Sequence, residues 1–334
     1  MKAIAYQKSL PAEHPESLME IELPAPAASG RDLLVRVEAI SVNPVDTKVR
    51  MRKEPAEGEY QVLGWDAAGV VEAVGPEVTR FHPGDRVFYA GALDRPGSNS
   101  ELHLVDERIA AKMPASLDFP QAAALPLTTI TAWEILFDRL GFTADSTGTL
   151  LIIGAGGGVG SIMIQLAKQL TRLTVIGTAS REETRQWALE LGADQVIDHR
   201  NPLHQELRKL GHPEVHAITA LTRTDQHLAA MAEAIAPQGK IAIIDDPASL
   251  DIMPFKQKSV SWHWEFMFTR SLFQTGDMIK QHELLTETAR LIDAGKIRTT
   301  LAESFGTITA ANLRRAHQLL ESGKSRGKIV LAGF

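Results

Sequence analysis

Apolar positions along the chain change period near residue 120, and that change divides the sequence. Before it the runs are short and partly alternating: Leu33-Leu34-Val35-Arg36-Val37-Glu38-Ala39-Ile40, Gly69-Val70-Val71-Glu72-Ala73-Val74-Gly75 and Asp85-Arg86-Val87-Phe88-Tyr89. Such runs predict strands, and Gly75-Pro76 and Pro83-Gly84-Asp85 supply turns between them. Together they suggest a small β-rich, barrel-like domain. Beyond it, Ala122 to Leu140 reads as helix interrupted at Pro126. Strands at 149–153, 174–178, 195–198, 215–220 and 240–245 then alternate with helical patterns at 159–170, 181–191, 202–210 and 225–236. That βαβα order predicts an α/β fold with a parallel, doubly wound sheet.

Trp262, Trp264, Phe266 and Phe268 alternate, so a strand across 259–268 would put all four on one face. Such a face suits a buried sheet edge or a subunit interface as well as a substrate wall. Leu284, Leu285, Thr288, Leu291 and Ile292 mark a helix stopped near Gly295. Thr309 is placed to cap another helix, which ends at Gly323, before a last strand at Gly327-Lys328-Ile329-Val330-Leu331. The expected organisation is a β-rich domain over 1–122, a doubly wound domain over 123–268, and a segment over 269–334 that returns to the first.

Composition narrows the function classes. The 334 residues carry a formal charge of −6, which argues against a nucleic-acid surface. No apolar run approaches the ~20 residues of a membrane span, and no signal peptide is visible at the N-terminus. There is no cysteine, so disulfides, cysteine-ligated zinc and a thiol nucleophile are impossible. This fits a reducing cytosol, and a cytoplasmic protein is expected.

The chemistry begins at Thr149-Leu150-Leu151-Ile152-Ile153, where Gly154-Ala155-Gly156-Gly157-Gly158-Val159-Gly160 follows the strand directly and opens a helix. Strand, glycine turn and helix bring a pyrophosphate onto free backbone N–H groups. Gly157 would let the backbone approach the phosphates, Gly158 and Val159 complete the expected cofactor-binding turn, and Gly160 would allow helix and strand to pack closely. Ala155 stands at the first fingerprint position, where glycine is usual. The second strand ends in Thr178-Ala179-Ser180-Arg181, with no acid at its tip. A carboxylate there would accept from the ribose hydroxyl of NAD, whereas Ser180 and Arg181, helped by Arg185, suit the 2′-phosphate of NADPH. Ser180 and Glu183 also fit a capping box.

Four segments resemble the medium-chain dehydrogenase/reductase superfamily, in its quinone-oxidoreductase-like and zinc-type alcohol dehydrogenase-like branch. They are Ser41-Val42-Asn43-Pro44-Val45-Asp46-Thr47; Gly64-Trp65-Asp66-Ala67-Ala68-Gly69-Val70-Val71, running into Phe81-His82-Pro83-Gly84-Asp85-Arg86-Val87; Ala123-Ala124-Leu125-Pro126-Leu127-Thr128-Thr129-Ile130-Thr131-Ala132-Trp133; and the glycine loop together with Glu321-Ser322-Gly323-Lys324 and Gly327-Lys328-Ile329-Val330. The resemblance implies a GroES-like barrel around a Rossmann domain, NADPH binding and a homodimer. It also implies that Asn43 and Thr128 face the nicotinamide and the acceptor, with Asp46 acting or orienting the loop and Lys328 near the cofactor. Asn43-Pro44 equally suits a turn in which Asn bonds its own backbone.

Zinc members of that superfamily place Cys in the first loop and His-Glu in the second. Here Asn43 and Trp65-Asp66 stand at those positions, so no metal site is expected. His212 and His216 are four apart, but Pro213 disfavours a helix and no third ligand is evident. Without a metal, hydride transfer from NADPH to a quinone or to an enone is the expected reaction, with a hydrogen-bond donor at the developing oxyanion. Several members carry a tyrosine after the Asp-Thr pair as a possible proton donor; this chain has Lys48. The expected partner is a small carbonyl or quinone substrate. The competing readings are a zinc-type alcohol dehydrogenase and an NADPH-binding sensor or structural protein without turnover.

Overall fold

A computed structural model describes residues 1–334. Contacts divide the chain into two compact units, Met1–Ile130 with Phe268–Phe334, and Thr131–Met267. The first division falls inside a helix rather than in a linker, a few residues after the expected boundary.

The first unit opens with β1 (Lys2–Tyr6), β2 (Met19–Glu22), β3 (Asp32–Val42), β4 (Gln61–Val62), β5 (Asp66–Val74), β6 (Arg86–Ala90), β7 (Leu102–Asp106) and β8 (Ala110–Lys112). The second unit adds β9 (Thr149–Ile153), β10 (Thr174–Thr178), β11 (Gln195–Ile197), β12 (Val215–Ala220), β13 (Ile235–Ile243) and β14 (Ser261–Trp264). The chain then returns to the first unit as β15 (Leu301–Ser304) and β16 (Lys328–Ala332).

In the first unit, β3 is the spine of a seven-stranded sheet ordered β15-β16-β3-β5-β6-β8, with β7 also pairing β3. The C-terminal strand is antiparallel to β3, with Val330 opposite Ser41 and Ile329 opposite Val42. On the other side of β3, Asp66 lies opposite Ser41. Register therefore brings Val42, Asp66 and Lys328 to one end of the sheet. Two helices finish that end: α1 (Pro44–Arg52) follows β3 directly, and α3 (Pro126–Trp133) begins at a proline after the short α2 (Phe119–Ala123). Proline suits a first helical position because the N–H it lacks would have no intrahelical acceptor.

The second unit is a six-stranded parallel sheet ordered β11-β10-β9-β12-β13-β14. β9 is buried along its whole length, the state of a strand covered on both faces. Its core joins Leu151, Ile153, Ile176, Ile218 and Ile243 with Phe255. Strand order reverses between β9 and β12, which makes the C-terminal end of β9 the switch point where doubly wound sheets bind ligands. The helices α4 (Gly158–Leu170) and α5 (Glu182–Glu190) follow β9 and β10.

Two local expectations change. The helix expected to run to Leu140 loosens into a π-helical turn over Glu134–Arg139, where the Leu140 N–H reaches back to the Ile135 carbonyl at 2.9 Å. In such a turn residues five apart share a side, so Arg139 lies over Glu134 at 3.7 Å. The aromatic strand is also shorter than the alternation suggests. It stops at Trp264, with Trp262 edge-on to Phe255, Trp264 62% exposed, and Phe268 buried against Trp65 in the first unit. The four rings therefore do not share one face. Alternation fixes a face only while pairing continues, and the last ladder contact of β14 joins Trp264 to Ile243.

Candidate functional site

The glycine loop leaves β9 at Gly154, whose φ of +89° favours glycine. Its N–H donates to Thr178 Oγ1 at the tip of β10, 3.1 Å away. Ala155 is fully buried, and a Cβ added to Gly177 of β10 would come within 2.8 Å of the Ala155 Cβ. Ala155 thus anchors the loop on the sheet with its methyl group turned away from solvent. A Cβ on Gly160 would lie 2.6 Å from Ala155 Cα and O, so only glycine lets α4 approach the loop this closely. At Gly157 the nearest atom to such a Cβ is 3.6 Å away. Gly157 is the N-cap of α4, no side chain caps the helix, and Gly157, Gly158 and Val159 are partly exposed. The start of α4 therefore presents backbone N–H groups with a positive helix end and no built-in anion.

At the tip of β10, Thr178 and Ala179 are buried, Ser180 is half-buried and Arg181 is exposed. The expected Ser180–Glu183 capping box does not form: Arg181 is the N-cap of α5, and no side chain caps it. Glu182 and Glu183 follow in the first turn, where carboxylates balance the helix dipole. Arg185 turns inward, and its Nη1 donates to the Val196 carbonyl. Its guanidinium is thus partly committed to the neighbouring strand.

In the first unit the site residues meet in a buried network. Lys328 Nζ donates to Asp66 Oδ2 at 2.9 Å, to Asn43 Oδ1 at 2.5 Å and to the Val42 carbonyl at 3.0 Å. Asn43 Nδ2 donates to Asp66 Oδ2 at 2.8 Å and to the Ser41 carbonyl at 3.3 Å. Asp66 Oδ1 accepts the Leu127 N–H at 2.7 Å, at the start of α3. The next residue, Thr128, is buried with its hydroxyl donating to the Leu125 carbonyl at 3.1 Å.

Lys328 lies in the first unit, and its three hydrogens go to three buried acceptors. Both amide hydrogens of Asn43 are likewise engaged within the network. Asp46 accepts the Asn43 N–H at 2.7 Å through Oδ2, while its Oδ1 is buried without a partner. Burial pushes the Asp46 carboxyl up to about 7, against the opposing pull of the Asn43 N–H and of Lys328. Lys48, two residues on, is half-buried.

Zinc does not fit these residues. A zinc site needs thiolate, imidazole or carboxylate lone pairs in a tetrahedron. The Trp65 indole has none to offer, and its Nε1–H donates to the Ala92 carbonyl at 3.1 Å. Both Asp66 oxygens are already used, and the chain holds no group of three or more suitably placed His, Asp or Glu residues. His216 Nδ1 instead accepts the Thr149 N–H at 3.0 Å.

Asp66 is the residue that sequence reasoning did not place in the site, except at a forfeited metal position. The available signal was its isolation: it is the one charge in Val62-Leu63-Gly64-Trp65-Asp66-Ala67-Ala68-Gly69, and a charge inside a buried run needs a partner. The Thr129 hydroxyl, buried without a partner beside Thr128, was also not singled out.

Sequence and fold are both similar to those of known proteins. Residues 29–115 match the Alcohol dehydrogenase GroES-like domain, and residues 191–331 match the family described as Zinc-binding dehydrogenase. A zinc-type alcohol dehydrogenase-like protein of Staphylococcus aureus is 42% identical over 99% of both chains. A solved Rhizobium etli structure, provisionally described as a zinc-dependent alcohol dehydrogenase, is 53% identical and superposes with a TM-score of 0.97 over 100% of this chain and 98% of that one. The Escherichia coli quinone oxidoreductase complexed with NADPH is 27% identical, with a TM-score of 0.84 over 99% of this chain and 100% of that one. This chain is therefore an oxidoreductase of the medium-chain dehydrogenase/reductase superfamily, in its quinone-oxidoreductase-like branch.

Proposed function

We propose that the protein is a metal-independent, NADPH-dependent reductase of quinones or α,β-unsaturated carbonyl compounds, working as a cytoplasmic homodimer. The observation that carries the reading is the commitment of Asn43, Trp65 and Asp66 to one another, to Lys328 and to backbone groups, which offers a Lewis acid no thiolate or imidazole and only a carboxylate already bonded on both oxygens. Acceptors already polarised by conjugation are the class that needs none.

Bound NADPH supplies the hydride, which adds to the electrophilic carbon of the acceptor. The N–H groups of Gly158 and Val159 suit the pyrophosphate, Gly157 leaves room for it with its own N–H turned to the Gly154 carbonyl, and Gly160 keeps α4 close behind them. Ser180 and Arg181 suit the 2′-phosphate, with Arg185 behind them. In the first unit the Thr128 hydroxyl, whose hydrogen goes to the Leu125 carbonyl, is suited to accept from a carboxamide N–H. Lys48 carries a proton that can complete the reduction at the oxygen or α-carbon. The homodimer reading rests on β14, an edge strand flanked by exposed Trp264, Phe266 and Met253. The cytoplasmic reading rests on the absence of cysteine; no helix is long and apolar enough to cross a membrane.

The test is NADPH oxidation by metal-stripped protein against quinones, enones and simple aldehydes, with NADH in parallel. Turnover of quinones or enones with NADPH preferred is the expected result, and Arg181→Ala should weaken NADPH ~10-fold while leaving NADH unchanged. The names of the relatives favour a zinc-dependent alcohol dehydrogenase as the second reading. Stoichiometric zinc surviving dialysis, with activity lost on chelation, would establish it in place of the first. Tight NADPH binding with no turnover of any acceptor would favour a sensor.

A further inference from the structure

The Lys328 ammonium is 3% exposed and gathers oxygens from two distant segments, Val42 and Asn43 at the end of β3 and Asp66 at the start of β5. A compact cation surrounded by a carboxylate, an amide oxygen and a carbonyl neutralises the carboxylate and fixes all three. The far oxygen of that carboxylate holds the Leu127 N–H, one residue before Thr128. A carboxylate at the N-terminus of α3 also faces the positive end of the helix. The orientation of Thr128 thus depends on Asp66, and the charge of Asp66 is balanced by Lys328.

We infer that Lys328 is a positioning residue: its ammonium does for this site what a bound cation would do, locking Asp66 so that α3 begins, and Thr128 is presented, in one arrangement. The kinetic part of this inference rests on the reductase reading. The structural part does not.

Three variants test it: Lys328→Met, Asp66→Asn and the double variant. Lys328→Met keeps the unbranched apolar stem, one atom shorter, and removes the charge. It should lower kcat by up to ~10²-fold, the penalty of a misplaced reacting group, while NADPH affinity measured by fluorescence changes less than about twofold. The double variant needs no cation, so it should regain part of the lost kcat and cost less than the two single changes combined. Amide hydrogen exchange supplies a readout independent of turnover. The Leu127 amide should be protected in the wild type and exchange ~10-fold faster or more in Lys328→Met, with the amides of α4 unchanged.

If no acceptor is turned over by the wild type, the reductase reading fails and the Leu127 exchange alone decides the positioning role. If Lys328→Met does not fold, the same measurements on Asp66→Asn and the double variant decide it. Unchanged kcat and unchanged Leu127 exchange in folded variants would overturn the inference. So would loss of NADPH affinity in step with kcat, which would return Lys328 to the cofactor.

Discussion

Lys328 in the first unit and Glu265 in the second are both ionisable residues in the interior, and their neighbours differ in what they can give. Around Lys328 one ammonium meets one carboxylate, with an amide and a carbonyl taking the remaining hydrogens. Around Glu265 two buried carboxyls, its own and that of Glu134, share a single guanidinium. Arg139 Nε donates to Glu265 at 2.7 Å and its Nη2 lies 3.7 Å from Glu134. Burial and the Glu134 charge push Glu265 up to about 9, despite Arg139. The acid pair is therefore driven towards keeping a proton. The difference teaches that a buried cluster is settled by counting charges and hydrogens: a balanced set fixes geometry, and an unbalanced set binds a proton.

The sharpest way to break this comparison is to remove the cation from each side. Lys328→Met strands Asp66 in the interior and should cost ~3–5 kcal/mol in denaturant unfolding. Arg139→Met leaves two carboxyls that can take up protons and a site that was partly exposed, so its cost at neutral pH should be smaller, ~1–3 kcal/mol. Equal losses would show that the count of charges is not what matters.

A second test uses pH. The folded Glu265 binds a proton that the unfolded chain releases near 4.5, so the folded state holds more protons between 4.5 and about 9. Stability should fall as pH rises through that window and level off above it. Glu265→Gln keeps an N–H in place of the acid hydrogen and removes the titration, so its stability should be flatter across the same range. A wild-type slope unchanged by Glu265→Gln would assign the proton elsewhere; Asp46, raised from 3.8 to about 7, contributes a slope of the same sign over a narrower window that ends near 7.

The smallest expected effect lies on the acid side. His103 and His317 are buried, and burial lowers them to about 4 and about 3. Each is stable as the neutral ring, so its contribution is present above 6.5 and lost as pH falls towards those values. His317 Nδ1 lies 2.8 Å from Arg50 Nη1 and accepts from it only when unprotonated. His317→Gln should reduce the acid-side loss measured by thermal unfolding; an unaltered acid limb would place that loss in other groups.

Legibility followed the range of the interactions. β9, β10 and β12 occupy the residues their apolar runs predict, because a strand buried on both faces leaves a continuous local signal. Thr309 caps its helix through the Asn312 N–H as expected, an interaction three residues long. The aromatic run at 259–268 misled because its alternation outlasts its pairing, and the end of β14 is decided by β13. The helix after Pro126 misled because the π-helical turn places Glu134 and Arg139 together for the sake of Glu265, far along the chain.

By itself the sequence determined the change from a β-rich to an alternating α/β part, the strand–glycine–helix turn, the lack of an acid at the tip of β10, and the presence of Asn43 and Trp65-Asp66 in their loops. Each of these is written in residues a few positions apart, where spacing alone fixes geometry. Only the tertiary structure decided that Lys328 meets Asp66, that both Asn43 amide hydrogens are engaged, and that Glu265 is buried against Glu134, which raises its carboxyl. Lys328 and its acceptors are separated by 262 to 286 residues. The pairing of a buried charge depends on which strands meet across the sheet, and no local period encodes that meeting.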